Sequence, residues 1–278
     1  MRRSSKLLFV GLLVALVQAA TTGQTTPTLT AEQKRAFLLE AEIVASRAAG
    51  KGVTGSLRLT LSDGTLSHDA GFQSIDDRLS VAERARGRRR AGELNFVDSY
   101  KYNIAAYEIA RLIGLDHMMP VTVERRIEGL TGSLTWWVDD VMMDEMEREK
   151  SNAQPPSALT FARQRQRMTI FAELVRDVDR NKGNVLYTRD WRVIMIDFTR
   201  AFRLDGELRY PETLQACDRA LYERLQTLED SDVRRVTADY LTSKEVNGVL
   251  TRKKLIVERF ARLIRDRGEG VVLYNSGM

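Results

Sequence analysis

"DVDRNKGNVLYTRDWRVIMIDF", residues 177–198, carries the decision about this chain. Asp177, Asp179 and Asn181 alternate as the oxygen ligands of a calcium loop do. A helix-loop-helix calcium site, however, needs Gly at the sixth position and a bidentate Glu at the twelfth. Counting from Asp177, those positions hold Lys182 and Thr188, so the sharp turn lacks its Gly, the closing carboxylate is missing, and a lysine stands among the ligands. The calcium reading fails on chemistry. Asp179 and Asn184, five apart, fit a different pattern, in which an Asp accepts the proton of an attacking hydroxyl and an Asn holds a metal. A second Asp, beyond a strand, chelates the same phosphate-bridging metal. Asp197 follows the apolar run "VIMI", and "NVLY" and "WRVIMI" can pair as a hairpin that brings Asn184 and Asp197 to one side.

Outward from this stretch the chain divides by pattern. Upstream, "SLRLTLSDGTLSHDAGFQSID" (56–76) alternates Leu57, Leu59 and Leu61 with Arg58 and Thr60, and Asp63-Gly64 supplies a two-residue turn. "AEQKRAFLLEAEIVASRAA" (31–49) has helical spacing, and "NFVDSYKYNIAAYEIARLIGL" (95–115) reads as an amphipathic helix closed at Gly114. "MMPVTVERRIEGLTGSLTWWVDD" reads as two strands around a Gly-containing turn. After "NAQPPSA" (152–158) the periodicity is mostly helical: 159–178, 211–228, 230–241 and 243–267, the last opened by a Thr242–Glu245 capping box. The expected architecture is α+β with two lobes: a first lobe over 36–140 and a helical second lobe over 141–278.

The N-terminus has a separate logic. Arg2, Arg3 and Lys6 precede the 14-residue run "LLFVGLLVALVQAA", which is short of the roughly 20 residues of a transmembrane helix. Residues 1–19 are therefore expected to be a secretory signal peptide, 20–35 a Thr-rich leader, and no stable membrane span is expected. Three basic and no acidic residues leave with that peptide, taking the net charge from +5 to +2. A single cysteine, Cys217, excludes an internal disulfide framework. Export without disulfides points to a periplasmic or secreted location. "RARGRRR" (84–90) has no aromatic residues interleaved for base stacking, so no nucleic-acid partner is expected.

The segment "DRNKGNVLYTRDWRVIMIDF" (179–198) resembles the Asp-Arg-His-x-x-Asn and Ile-Asp-Phe-Gly segments of the phosphatidylinositol 3-/4-kinases. Related atypical kinases, among them bacterial toxin kinases and secreted Golgi kinases, share them. "TWWVDDVMMDE" (135–145) also resembles a segment of exported bacterial proteins. The kinase resemblance implies a two-lobe protein-kinase-like fold that binds ATP with Mg²⁺ or Mn²⁺. It implies Asp179 as catalytic base, Arg180 as its neighbour in the catalytic loop, better suited to bracing than to chemistry, and Asn184 and Asp197 as metal ligands. Two positions depart from the pattern: Asn181 stands for the His, and Thr199 for the Gly after Ile-Asp-Phe.

The nucleotide half is less regular. Gly50, Gly52 and Gly55 form G-x-G-x-x-G ahead of the first hairpin, where backbone N–H groups can approach phosphates. A strand cation should follow, yet no lysine lies between Lys51 and Lys101. Gln73 falls near the expected place, with Arg58 and Lys51 as alternative sources of charge, and Asn103 and Glu108 are candidates for the helix partner. A glutamine cannot neutralise phosphate. Two functions stay open at this point: a phosphotransferase acting on an unidentified hydroxyl acceptor, and a catalytically weak or inactive pseudokinase-like module of the cell envelope.

Overall fold

The alternation at 57–61 becomes a hairpin in the computed structural model, which describes residues 29–49, 56–78 and 97–276. Strands β2 (Leu57–Ser62) and β3 (Ser67–Gln73) pair antiparallel, Leu59 opposite Ala70 and Leu61 opposite His68. The connection spans four residues rather than two. Asp63 Oδ1 accepts the N–H groups of Thr65 and Leu66 at 2.8 and 2.7 Å, and Gly64 takes φ +85°. The Asp side chain thus stands in for a backbone acceptor and fixes the turn.

The helix expected over 31–49 splits in two. A Thr30–Gln33 capping box starts α1 (Ala31–Glu40), inside the stretch expected as a leader, and the chain then extends as β1 (Glu42–Ala48) along the free edge of β2. α1 has buried Phe37 and Leu38 by then, and β-branched Ile43 and Val44 suit the pleated backbone that β2 offers. A second hairpin joins β6 (Thr122–Ile127) to β7 (Leu130–Trp136) through Glu128-Gly129, both at positive φ, as a tight two-residue turn requires. The sheet runs β1-β2-β3-β7-β6. A two-strand ribbon of β4 (Asp76–Arg78) and β5 (Val97–Ser99) leads into α2 (Tyr100–Leu112), which begins five residues later than the pattern suggests because Ser99 caps it. Both α1 and α2 lie against β6 and β7, enclosing Leu38, Leu61, Phe72, Ile109 and Leu134.

Residues 137–140 join this sheet to the second lobe. There β8 (Val141–Asp144) is followed by α3 (Glu145–Ser151) and α4 (Ala158–Val175), and β9 (Val185–Thr188) and β10 (Val193–Met195) complete a β10-β9-β8 sheet. The helix expected from Pro211 begins only at Arg219. Residues Cys217–Asp218 form β11, parallel to β12 (Leu273–Tyr274), and the Asp218 carboxylate caps α5 (Arg219–Thr227) while also binding Ser276. The remaining helices are α6 (Asp230–Thr237), α7 (Ser243–Arg267), opened by the expected capping box, and α8 (Glu269–Val272). Among the described residues no helix is long and apolar enough to cross a membrane.

Arg252 of α7 is fully buried and anchors the irregular segment that follows β10. Its guanidinium donates to the carbonyls of Leu174 at 2.9 Å and Arg203 at 3.0 Å, and also to that of Asp205. Burial pulls its pKa down to about 10, still charged at neutral pH. Arg252→Met leaves these carbonyls without their donor, an expected loss of about 2–4 kcal/mol. Urea unfolding checks it: an unchanged midpoint and slope would show that the carbonyls find other donors.

Candidate active site

The loop between α4 and β9 is built around one arginine. Arg176 turns the chain at φ +51°, and Asp177 then enters the interior, its side chain 0% exposed, where it accepts the Asp179 N–H at 3.0 Å and ion-pairs with Arg180. Burial raises the Asp177 carboxyl above its ordinary range, against the pull of Arg180. The Arg180 guanidinium also donates to the carbonyls of Asn184 (2.9 Å), Ile196 (2.5 Å) and Asp197 (3.4 Å), and lies 4.1 Å from the Phe198 ring centre. One cation therefore fastens the loop to the end of β10. Arg180 points at the protein rather than at solvent, as a brace does.

The residues singled out for chemistry converge around that brace. Asn184 Nδ2 donates to the Asp179 carbonyl at 3.1 Å, and the Ile196 N–H to the Asn184 carbonyl at 3.1 Å. The hairpin expected from "NVLY" and "WRVIMI" forms, with Tyr187 opposite Val193. Asp197 adopts φ +56°, and its Oδ1 accepts the Thr199 N–H and hydroxyl at 3.3 and 3.0 Å. The residue where kinases have Gly thus orients the Asp. Asp179 Oδ2 lies 3.3 Å from Arg200 Nη1, a contact the sequence reading missed, although an arginine three residues after Asp197 was visible there. With Asp177 buried and paired, the calcium arrangement is absent. Among the described residues no group of three or more His, Cys, Asp or Glu side chains stands ready for a metal. The donor set on offer is an amide oxygen and a carboxylate, hard ligands that suit Mg²⁺ or Mn²⁺ once phosphate oxygens join them.

In the first lobe the neutral residue expected at the strand-cation position and one candidate for its helix partner find each other. Asn103 Nδ2 donates to Gln73 Oε1 at 2.5 Å and to Ser133 Oγ at 3.3 Å, while Asn103 Oδ1 accepts the Phe198 N–H at 2.7 Å. A strand-to-helix pair is present and reaches the residue after Asp197, but without charge. Glu108 faces elsewhere, toward Arg35 and Arg111 at 2.8 and 2.9 Å. Arg58 is held by Asp69 at 2.6 Å and stacks 4.0 Å from the Trp137 ring, whereas Trp136 faces the core against His68. Lys101, also missed, pairs with Asp76 at 3.3 Å, beside Ser99, whose N–H bonds the Thr199 carbonyl at 2.9 Å. Gly50, Lys51, Gly52 and Gly55 lie outside the described residues, as do the expected signal segment and the 84–90 arginine cluster.

Behind the loop is a half-open cavity of ≈ 370 Å³, lined among others by Thr169, Glu173, Arg176, Asp179, Arg209 and Tyr210. Its walls come from α4, the loop and the segment after β10. Both Glu173 oxygens are taken by the N–H groups of Arg209 and Tyr210, at 2.7 and 3.1 Å.

No protein-family model matches the sequence, and the search of curated proteins gives no match. Solved structures do match. A hydra Fam20 structure with sugar superposes with TM-score 0.67 at 15% identity, covering 89% of this chain and 93% of that one. The Golgi casein kinase with Mn and ADP bound gives 0.61 at 12%, covering 89% and 80%. The Helicobacter pylori proinflammatory kinase CtkA gives 0.53 at 9%, covering 83% and 97%. At these identities the likeness is one of fold, and the two-lobe α+β fold of this chain is kinase-like.

Proposed function

We propose that this chain is a phosphotransferase that binds ATP between its lobes and passes the γ-phosphoryl group to a hydroxyl acceptor. The observation that carries the proposal is the convergence of Asp179, Asn184 and Asp197 on the Arg180 brace within a kinase-like fold. Asp179, 39% exposed, is the proton acceptor: it takes the acceptor's proton as the acceptor oxygen bonds to phosphorus and the bond to the β,γ-bridging oxygen breaks. Asn184 and Asp197 would hold Mg²⁺ or Mn²⁺, which when bound neutralises phosphate charge. The structure of the Golgi casein kinase holds Mn and ADP, which supports the same pairing here. Gln73 and Asn103 position the Phe198 backbone and, with it, Asp197.

The same Gln73–Asn103 pair favours a second reading, a pseudokinase-like module that keeps the fold and has lost turnover. It leaves the α- and β-phosphates without the strand cation that kinases use. Calorimetry with a nonhydrolysable ATP analogue, with and without Mg²⁺ or Mn²⁺, tests the site itself. Metal-dependent binding is expected, weakened at least about tenfold in Asp197→Ala, a change of about 1.4 kcal/mol. A folded wild-type protein that binds no nucleotide would overturn the phosphotransferase reading.

A further inference from the structure

We infer that the cavity behind the catalytic loop is an acceptor subsite for a small hydroxylated anion, a molecule that carries a carboxylate or phosphate beside its hydroxyl. The inference rests on the phosphotransferase reading, because it takes Asp179 as proton acceptor. Every described lining residue comes from the second lobe, so the cavity is separate from the Gln73–Asn103 side where nucleotide phosphates are proposed to lie. Asp179 forms part of its wall, so an occupant can present a hydroxyl to the carboxylate. The volume of ≈ 370 Å³ is within the range of small-molecule sites and too small for a folded partner.

Apart from Asp179, the carboxylates that line this space are already engaged. Glu173 is spent on two backbone N–H groups, and Asp177 on Arg180. Arg176 uses Nη2 on Asp205 at 3.0 Å, while its Nε and Nη1 are buried with no hydrogen-bond partner. Buried N–H groups without an acceptor cost about 1–3 kcal/mol, and a guanidinium matches carboxylate or phosphate oxygens in paired geometry. Arg209 rests 5.0 Å from the Tyr210 ring centre and makes no ion pair among the described residues. Arg176 and Arg209 thus both line a cavity whose wall includes the proton acceptor, and the exposed Arg209 carries the donors an occupant can reach. In the step this serves, the acceptor O–H proton passes to Asp179, an O–P bond forms to the γ-phosphorus of the nucleoside triphosphate, and the diphosphate leaves with the electron pair of the broken P–O bond.

The test is calorimetric titration of the full chain with glucuronate, glucose 6-phosphate and glucose. Both anions are expected to bind at least about tenfold more tightly than glucose, and their relative affinity tells carboxylate from phosphate recognition. Arg209→Gln is expected to lose that preference with its melting temperature unchanged, and Arg209→Lys to keep part of it. Glucose binding as tightly as the anions, no binding of any of the three, or a folded Arg209→Gln with wild-type preference would each overturn the inference. Titration of the same samples with the ATP analogue separates the two readings. Nucleotide binding without anion binding removes the acceptor subsite alone, and anion binding without nucleotide binding removes the phosphotransferase.

Discussion

Asp179→Asn is expected to slow phosphoryl transfer by about 10²–10⁴-fold while nucleotide binding persists. The substitution keeps size and one hydrogen-bond acceptor, and the backbone carbonyl that receives Asn184 Nδ2 is untouched, so the loop geometry should survive. What disappears is the group able to take a proton as the acceptor oxygen attacks. Water can serve as acceptor in the assay, so ADP release from ATP in Mg²⁺ or Mn²⁺ is the readout, followed at single turnover to separate chemistry from release. Wild-type turnover in the Asn variant would take Asp179 out of the chemistry. Absent turnover in a wild type that binds the analogue would instead favour the pseudokinase-like module.

The parts of the fold legible in the sequence were those whose signals are local. Leu57, Leu59 and Leu61 need only their own alternation, and Glu128-Gly129 only its turn chemistry, to specify hairpins. What stayed hidden depended on partners far along the chain. Residues 42–48 have acceptable helical spacing, and only the unpaired edge of β2 makes them a strand. Residues 211–218 look continuous with α5, yet β12, more than fifty residues downstream, pairs with Cys217–Asp218 and sets the helix start. Tertiary pairing overrode local periodicity in both places.

The site divides in the same way. Asp179, Asn184 and Asp197 stood out because spacing and the intervening hairpin are sequence properties, and the structure gathers them around one brace. Spacing could not choose between Asn103 and Glu108 as the partner of Gln73, since both lie on the same helix; the choice follows from which helix face meets β3 and β7. Arg200 and Lys101 were invisible as site residues for the related reason that a half-buried cation has no local signature. Their meaning comes from Asp179 and Asp76, which the fold brings to them.

Arg180→Met is expected to cost about 3–5 kcal/mol of stability and to abolish metal-dependent nucleotide binding. The loss has two sources. The carbonyls of Asn184, Ile196 and Asp197 lose a common donor, and Asp177 is left as a fully buried carboxylate without its cation. Burial already raises the Asp177 pKa, and Arg180 is the main group pulling it back, so the variant's carboxyl rises further. A carboxyl raised in the folded state contributes stability that is fully present below its unfolded value and is lost as pH rises through its folded value. The deficit relative to wild type should therefore be smallest near pH 4 and grow toward neutral pH. Adding Asp177→Asn removes the orphaned charge while keeping an acceptor for the Asp179 N–H, and should recover part of the stability at neutral pH without restoring nucleotide binding. Urea unfolding of both variants at acid and neutral pH decides it: a deficit that ignores pH and is not relieved by Asp177→Asn would mean that the guanidinium acts through its carbonyls and the Phe198 ring alone.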